Sequence, residues 1–520
     1  MSSTAGKDEY VQGTLKWLIV ITAALGAMLE VIDTSIVNVA ITSIQSSLGA
    51  TISEVGWVVS GYSIANVILI PLSAWLGFYF GRKSYFIFSL VGFTVASILC
   101  GFSVNLAMLV VCRILQGLFG GGLLAKGQSI IFETFPPHEQ GLAQAMFGVG
   151  VIAGPAIGPT LGGYLTDSLG WRWIFFINLP FGLVAILMAW LFLPKDLPRL
   201  RVPTIDWWGI AWLAISIGCL QTILAQGQEY DWFNSSLINY LAIVGSITFI
   251  LLIWQELNTK APAVDLRVLR HRALAAGSIY SGILGMGLYG TLFVVPIFAQ
   301  SILGLSATQT GFLLAPGALT SAIVMVLLGK ISDRIDARIL IALGAIGSAL
   351  VMFNLADITS QTGTERLFWP LVLRGGVTVM MFLPLSLATL GSLAQQDIPA
   401  GSGFYNLTRQ LGGSLGIALL TNILEQRIAF HKVILSAKIT PYDLATSQRL
   451  EQLHWFFQSQ GLDSITSNQR ALAIIENTIY TQASVLSFAD IFRIVGIAFI
   501  CSLPLLLFLG EGKKKKRQVV

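Results

Sequence analysis

The sequence predicts an all-α integral membrane protein of fourteen membrane-crossing helices. Three observations predict it. The 520 residues are 55% hydrophobic and only 11% charged, with a mean hydropathy of +0.76; a soluble domain carries roughly 25% charged residues. Apolar runs of about 20 residues, the length a helix needs to cross the hydrocarbon, recur from end to end. These runs are about twice the ~10 residues of a barrel strand, so helices rather than strands are implied.

In order, the predicted spans are 15–37, 54–77, 85–103, 106–128, 141–165, 173–193, 207–226, 237–256, 274–298, 308–329, 338–357, 367–390, 402–425 and 487–510. The first begins without an A-x-A-like cleavage site, so no cleavable signal peptide is expected. It contains "MLEVIDTSIVNVA", which sets Glu30 and Asp33 in an otherwise apolar helix. The fourth carries Arg113 and Gln116, and the fifth carries glycines at 150, 154, 158 and 162 with Pro155 and Pro159. Lys126 lies near the inner end of the fourth span and reads as a snorkelling lysine.

Lys and Arg set the orientation. With the N-terminus inside, the inner segments collect "GRK" at 81–83, "KDLPRLR" at 195–201, "RVLRHR" at 267–272, "GKISDRIDAR" at 329–338 and "KKKKR" at 513–517. The short outer loops hold Arg172 and Arg366. Both termini are therefore expected to be cytoplasmic. The basic tail reads as a stop-transfer anchor or as a patch for anionic lipid. Residues 426–486 form a long outer segment, amphipathic and mixed in charge. It reads as an extramembrane helical hairpin that either docks a partner or caps the protein.

The second half echoes the first. "GKISDRIDAR" answers "AWLGFYFGRK", "PLVLRGG" answers "VVCRILQG" with Arg374 opposite Arg113, and "RQLGGSLG" answers "GPTLGG". The expected organisation is a six-helix half over 1–200, an inserted helix pair over 201–272 and a second six-helix half over 273–520. Parallel repeats of this kind place a substrate site near the midplane between the halves.

In chain order, "LEVIDTSIVNVA", "WVVSGYSIANVILIPLSAWLG", "RILQGLFGG", "GPAIGPTLGG", "WRWIFFINLPFG", "GQEYDWFNS" and "GFYNLTRQLGGSLGIALL" resemble the major facilitator superfamily. Within it, the chain is similar to the fourteen-span drug:proton antiporters of the EmrB/QacA type. The resemblance implies the major facilitator fold, two six-helix bundles plus two inserted helices, in a bacterial inner membrane. It implies that Gly154, Gly158, Pro159, Gly162 and Gly163 form an antiporter motif that seals the path; ordinary close packing of another helix on the glycine ridge explains the glycines as well. It also implies a gating loop, here Arg82 and Lys83, with Asp333 and Arg334 in the second copy. The first copy departs from the family's G-x-L-x-D-R-x-G-R-K, with Phe78 and Tyr79 where Asp and Arg are expected. That leaves gating to the second copy. Gram-negative members commonly work with a periplasmic adaptor and an outer-membrane channel, and the outer segment is where such a contact is expected.

Glu30 and Asp33, three residues apart, share one helical face. A charge at the bilayer centre costs ~2.5–3.5 kcal/mol or more, so the pair must face protein or water. Burial favours the neutral form of a carboxylic acid, so such a group can gain and lose a proton. Either it carries protons, or it is a structural ion pair; Glu30 could also bind a cationic compound. Arg113 lies at similar depth to Asp33 and can pair with it. The pairing is either permanent or broken during transport. Trp57, Tyr62, Asn66 and Gln116 are cavity candidates, since aromatic faces suit flat cations. Arg374, Arg409 and Asp490 are intramembrane or interfacial charges and are candidates by default.

Nothing resembles an ATP site, and no inner loop has room for a nucleotide domain. Cys100, Cys112, Cys219 and Cys501 lie in apolar runs, and the four histidines are scattered. No enzyme activity, cofactor, metal or nucleic-acid partner is expected. The reading is a secondary-active multidrug efflux transporter that exchanges protons for amphipathic, hydrophobic or cationic compounds by alternating access. The alternatives are an exporter of one metabolite, such as a siderophore or fatty acid, and a non-transporting sensor or scaffold.

Overall fold

The structure is a computed structural model that describes residues 13–195, 205–259, 261–332, 334–359, 362–440 and 442–509. The basic tail, most of "KDLPRLR" and Asp333 lie outside the described residues. All regular structure within them is helical. The first part of the chain forms α1 (Leu15–Leu48), α2 (Ile52–Phe80), α3 (Arg82–Gly101), α4 (Leu106–Gly120), α5 (Leu123–Thr134), α6 (Gln140–Leu169), α7 (Trp173–Phe176) and α8 (Asn178–Phe192). Next come α9 (Trp207–Gln226) and α10 (Ser236–Asn258). The rest forms α11 (Arg272–Ser301), α12 (Ala307–Ile331), α13 (Ala337–Leu355), α14 (Thr364–Leu390), α15 (Ile398–Lys438), α16 (Leu444–Ser459) and α17 (Ser464–Ser502).

Among the described residues, 13 helical stretches are long and apolar enough to cross a membrane. The predicted span 402–425 falls inside α15, which is not one of them. Its run "NLTRQ" brings Asn406, Arg409 and Gln410 into the helix, yet α15 packs along α11 as closely as the other helices pack on one another. Tyr240, Ile243, Ile250 and Trp254 of α10 are exposed, which suits a helix that faces lipid tails rather than water.

Two departures from uniform spans matter. The predicted fourth span, 106–128, is two helices, α4 and α5, parted at Gly121 and Gly122. There α2 comes so close that a side chain at Gly121 would collide with the backbone carbonyl of Asn66. The sixth span is also divided, at Ile177 between α7 and α8.

One core cluster lies almost wholly within α11–α17. Others lie within α1–α8. A further cluster joins Val67 and Ile70 of α2 to Leu213 and Ile217 of α9 and to Phe404 and Leu407 of α15. The helix pair α9–α10 is thus attached to the rest through α9.

Residues 426–486 continue α15, fold back through α16 and enter α17. Asp443 and Asp463 cap α16 and α17 by accepting from Thr446 and from Ile465 and Thr466. These bonds favour the charged form and hold both carboxyls below the ordinary range. At the base of the hairpin, Asp490 of α17 accepts from His431 (2.9 Å) and lies 3.6 Å from Arg427, both on α15.

The glycine ridge of α6 packs on α1. A Cβ at Gly158 would collide with Ser35 and stand 3.3 Å from the Ile36 amide; at Gly162 it would stand 3.0 Å from the Ile36 carbonyl. Close approach of this kind needs residues without side chains. Gly158→Leu is expected to cost about 1–3 kcal/mol through overpacking and to impair transport, read by thermal unfolding and by dye efflux. Normal efflux in that variant contradicts a tight α1–α6 contact.

Candidate functional site

Asp33 sits in the middle of α1, fully buried, and accepts three hydrogen bonds. Arg113 of α4 donates from Nη1 at 2.5 Å, Gln116 from Nε2 at 2.8 Å and Asn178 of α8 from Nδ2 at 2.9 Å. Arg113 is equally buried. It donates Nε to the Val58 carbonyl of α2 (3.0 Å) and a second bond to Gln116 Oε1 (2.8 Å). The Tyr62 ring lies 4.2 Å from its guanidinium carbon. Both members of the pair are therefore held by further hydrogen bonds, the condition for keeping two charges out of water. Ser97 of α3 accepts from Asn178 at 3.0 Å and extends the cluster.

Glu30, one turn earlier, has a different role. Its Oε1 accepts from Asn66 Nδ2 (3.0 Å) and its Oε2 from the backbone amide of Leu124 (2.8 Å). Leu124 is in the first turn of α5, where amides lack partners within the helix. The break in the fourth span thus creates a helix N-terminus inside the protein, and the Glu30 carboxylate caps it. A carboxylate is favoured there by the helix dipole.

A cavity opens near Glu30, whose carboxylate lies within electrostatic reach of Arg409 in its wall; neither acid lines it. Val31 of α1 and Val151 and Pro155 of α6 line one side; α11, α12, α14 and α15 line the other, with Tyr289, Phe382, Arg374 and Arg409 among them. Among the described residues its lining contains no carboxylate. Arg409 is buried, donates to Asn406 Oδ1 (2.6 Å) and keeps Nε without a partner. Arg374 makes one long bond, to the Thr291 carbonyl (3.4 Å). Among the described residues neither arginine is ion-paired.

The candidates from sequence therefore separate. Asp33, Arg113, Gln116 and Tyr62 form one cluster, and Glu30 with Asn66 another. Arg374 and Arg409 line the cavity. Trp57 is part-buried on α2, away from the cavity lining. Gly154 faces Val31 and Ile32 of α1, Pro159 is part-buried on the same helix, and Gly163 is buried. Lys126 does not snorkel; it is buried against Gly77 of α2. Arg82 pairs with Glu133 at the end of α5 (2.6 Å), and Lys83 donates to the carbonyls of Trp190 and Leu193 at the end of α8. Arg334 is exposed and makes no ion pair among the described residues. Asn178 and Ser97 carry no mark in the sequence beyond being polar in apolar runs, the one signal that could have singled them out.

The family model described as Major Facilitator Superfamily matches residues 23–417. "Fatty acid resistance protein FarB" of Neisseria gonorrhoeae is 33% identical over 94% of this chain and 95% of its own length. "Multidrug export protein EmrB" of Escherichia coli (strain K12) is 32% identical over 96% of this chain and 97% of its own. The solved proton:xylose symporter XylE aligns with a TM-score of 0.61 over 96% of this chain and 97% of that one; at 15% identity this is a likeness of fold.

Proposed function

The chain belongs to the Major Facilitator Superfamily, and on that premise we propose how it works as a multidrug efflux transporter. The observation that carries the reading is the cavity lined from both parts of the chain, with the buried Glu30 in electrostatic reach of Arg409 in its wall. As the halves rock, such a cavity faces each side of the membrane in turn. Asp33 and Glu30 take up protons from outside and release them inside. Arg113 keeps its own proton and holds Asp33 in place. Compounds with an apolar body leave through the cavity. The described lining offers guanidinium groups and no acid, so a cationic substrate would meet its counter-charge outside the lining.

The N-terminus, the α2–α3 connection and the C-terminus face the cytoplasm in this reading, because the basic residues gather there. The hairpin of 426–486 projects outside and exposes Tyr442, Leu444 and Trp455. It is the surface for a periplasmic adaptor that leads to an outer-membrane channel.

The test is export by purified protein in liposomes under an imposed pH gradient, with a panel of chemically unrelated dyes. Several dyes should move, and movement should stop when the gradient is collapsed. Transport of one compound alone supports a metabolite exporter, and no transport supports a scaffold.

A further inference from the structure

The amide that Glu30 caps and the contacts that join the two halves lie on the same short helix, α5. Leu124, whose amide is bound by Glu30, begins a face that Gln128 continues one turn later. Gln128 donates Nε2 to Ser386 Oγ of α14 (2.8 Å) and accepts from Asn406 Nδ2 of α15 (2.7 Å). Between them along the helix, the Ala125 carbonyl accepts from Ser402 Oγ of α15 (2.8 Å). All four side chains are buried. Asn406 in turn accepts from Arg409, which lines the cavity. A continuous path of hydrogen bonds runs from Glu30, through α5, across the junction of the halves, to the cavity wall.

We propose that Glu30 is a positioning residue for the transport cycle: its carboxylate holds the first turn of α5, which sets Ala125 and Gln128 against Ser402, Asn406 and Ser386, and protonation of Glu30 releases this latch. The proposal rests on the alternating-access reading above. The chemistry is direct. Both neighbours of the Glu30 oxygens, the Asn66 amide and the Leu124 amide, are donors. A carboxylate answers both, whereas a carboxylic acid must itself donate from one oxygen and there meets a donor. It also loses the charge that the N-terminal turn of α5 favours.

The charged and titratable groups around Glu30 are few. Asp33 on α1 is already paired with Arg113. Arg409 on α15 is the cation within electrostatic reach. Tyr62 on α2, Tyr85 on α3 and Tyr289 on α11 are the phenols. Lys126, on α5 itself, is turned to α2. With the N-terminal face inward, a proton arriving from outside opens the inner side, the direction that proton-driven export needs.

The test is a distance across the junction, read by pulsed electron spin resonance on the full chain in lipid nanodiscs without substrate. Labels go on His138→Cys, in the α5–α6 loop, and Gln395→Cys, in the α14–α15 loop, in a Cys501→Ala background. Both sites are exposed, on loops brought together where Gln140 meets Gly391. Lowering the pH from about 8 to about 5, a range that covers poorly hydrated carboxylates, should raise the separated population about tenfold. Glu30→Gln should be separated at both pH values, and so should Gln128→Leu, a substitution of similar volume that removes the latch without touching the acid. A distance that ignores pH in the wild type, a normal pH response in Glu30→Gln, or a closed junction in Gln128→Leu overturns the proposal. Dye export by the same wild-type protein tells this failure from failure of the transport reading, since the distance measurement needs no transport.

Discussion

Asp33→Asn is expected to reduce proton-coupled export to the background of empty liposomes and to destabilise the protein by about 3–5 kcal/mol. The magnitude follows from what remains when one member of a buried ion pair is removed. Arg113 stays charged and fully buried, with Gln116 Oε1, the Val58 carbonyl and the Tyr62 ring as its remaining company. The amide that this substitution introduces cannot replace the carboxylate. Asp33 accepts from three donors, and an asparagine turns one of its two acceptor ends into a donor. The double variant Asp33→Asn/Arg113→Gln removes both charges. It should regain much of the lost stability and none of the transport, which separates the proton-carrying role from the structural one through a double-mutant cycle. The readouts are thermal unfolding in detergent and proton release on substrate addition. A proton signal that survives in Asp33→Asn ends the role assigned to this acid.

The pairing of Asp33 with Arg113 was legible in the sequence because both are rare residue types for a membrane span, and helix geometry places them at one depth. The glycine ridge was legible for a similar reason: a four-residue step of small residues has one helical face on which to act. The division of the fourth span into α4 and α5 was not. Hydropathy sees one unbroken apolar run through "GLFGGGLLA", and the glycines there keep negative φ angles; what parts the helices is the approach of α2 at Asn66, a tertiary fact. Glu30 was therefore visible as a costly charge, while the amide it caps was not. Gln128 and Asn406 stand in runs that look like ordinary helix interior, and only the packing of α5 on α14 and α15 brings them together. The repeat pointed to a site between the halves, and Arg374 and Arg409 do line the cavity found there; the rest of its wall was not legible, because a void is what packing leaves over and no local pattern encodes it.

The charge of that void leads to the second large effect. Among the described residues, Arg374 and Arg409 meet no carboxylate in the cavity wall, and Arg409 retains an unpartnered Nε. A guanidinium left this way in an apolar surround gains most from an anionic ligand, which it can bind through two parallel hydrogen bonds. A matched set of probes isolates the effect: pyrenebutanoate, pyrenebutanol and a pyrenebutyl trimethylammonium share one apolar body and differ in charge. Pyrenebutanoate is expected to bind the purified protein most tightly. Arg409→Gln should weaken it by roughly 10–100-fold, since a hydrogen bond to a charged group contributes about 1.5–3 kcal/mol, and leave pyrenebutanol within about twofold. Arg409→Lys should restore only part of the loss, because an ammonium lacks the planar fork. The alcohol is the decisive control. Arg409 also donates to Asn406, so a variant that merely disturbed the junction would weaken all three probes alike. Equal binding of the ammonium and the carboxylate in the wild type would show that the two arginines hold the wall together and do not select what passes it.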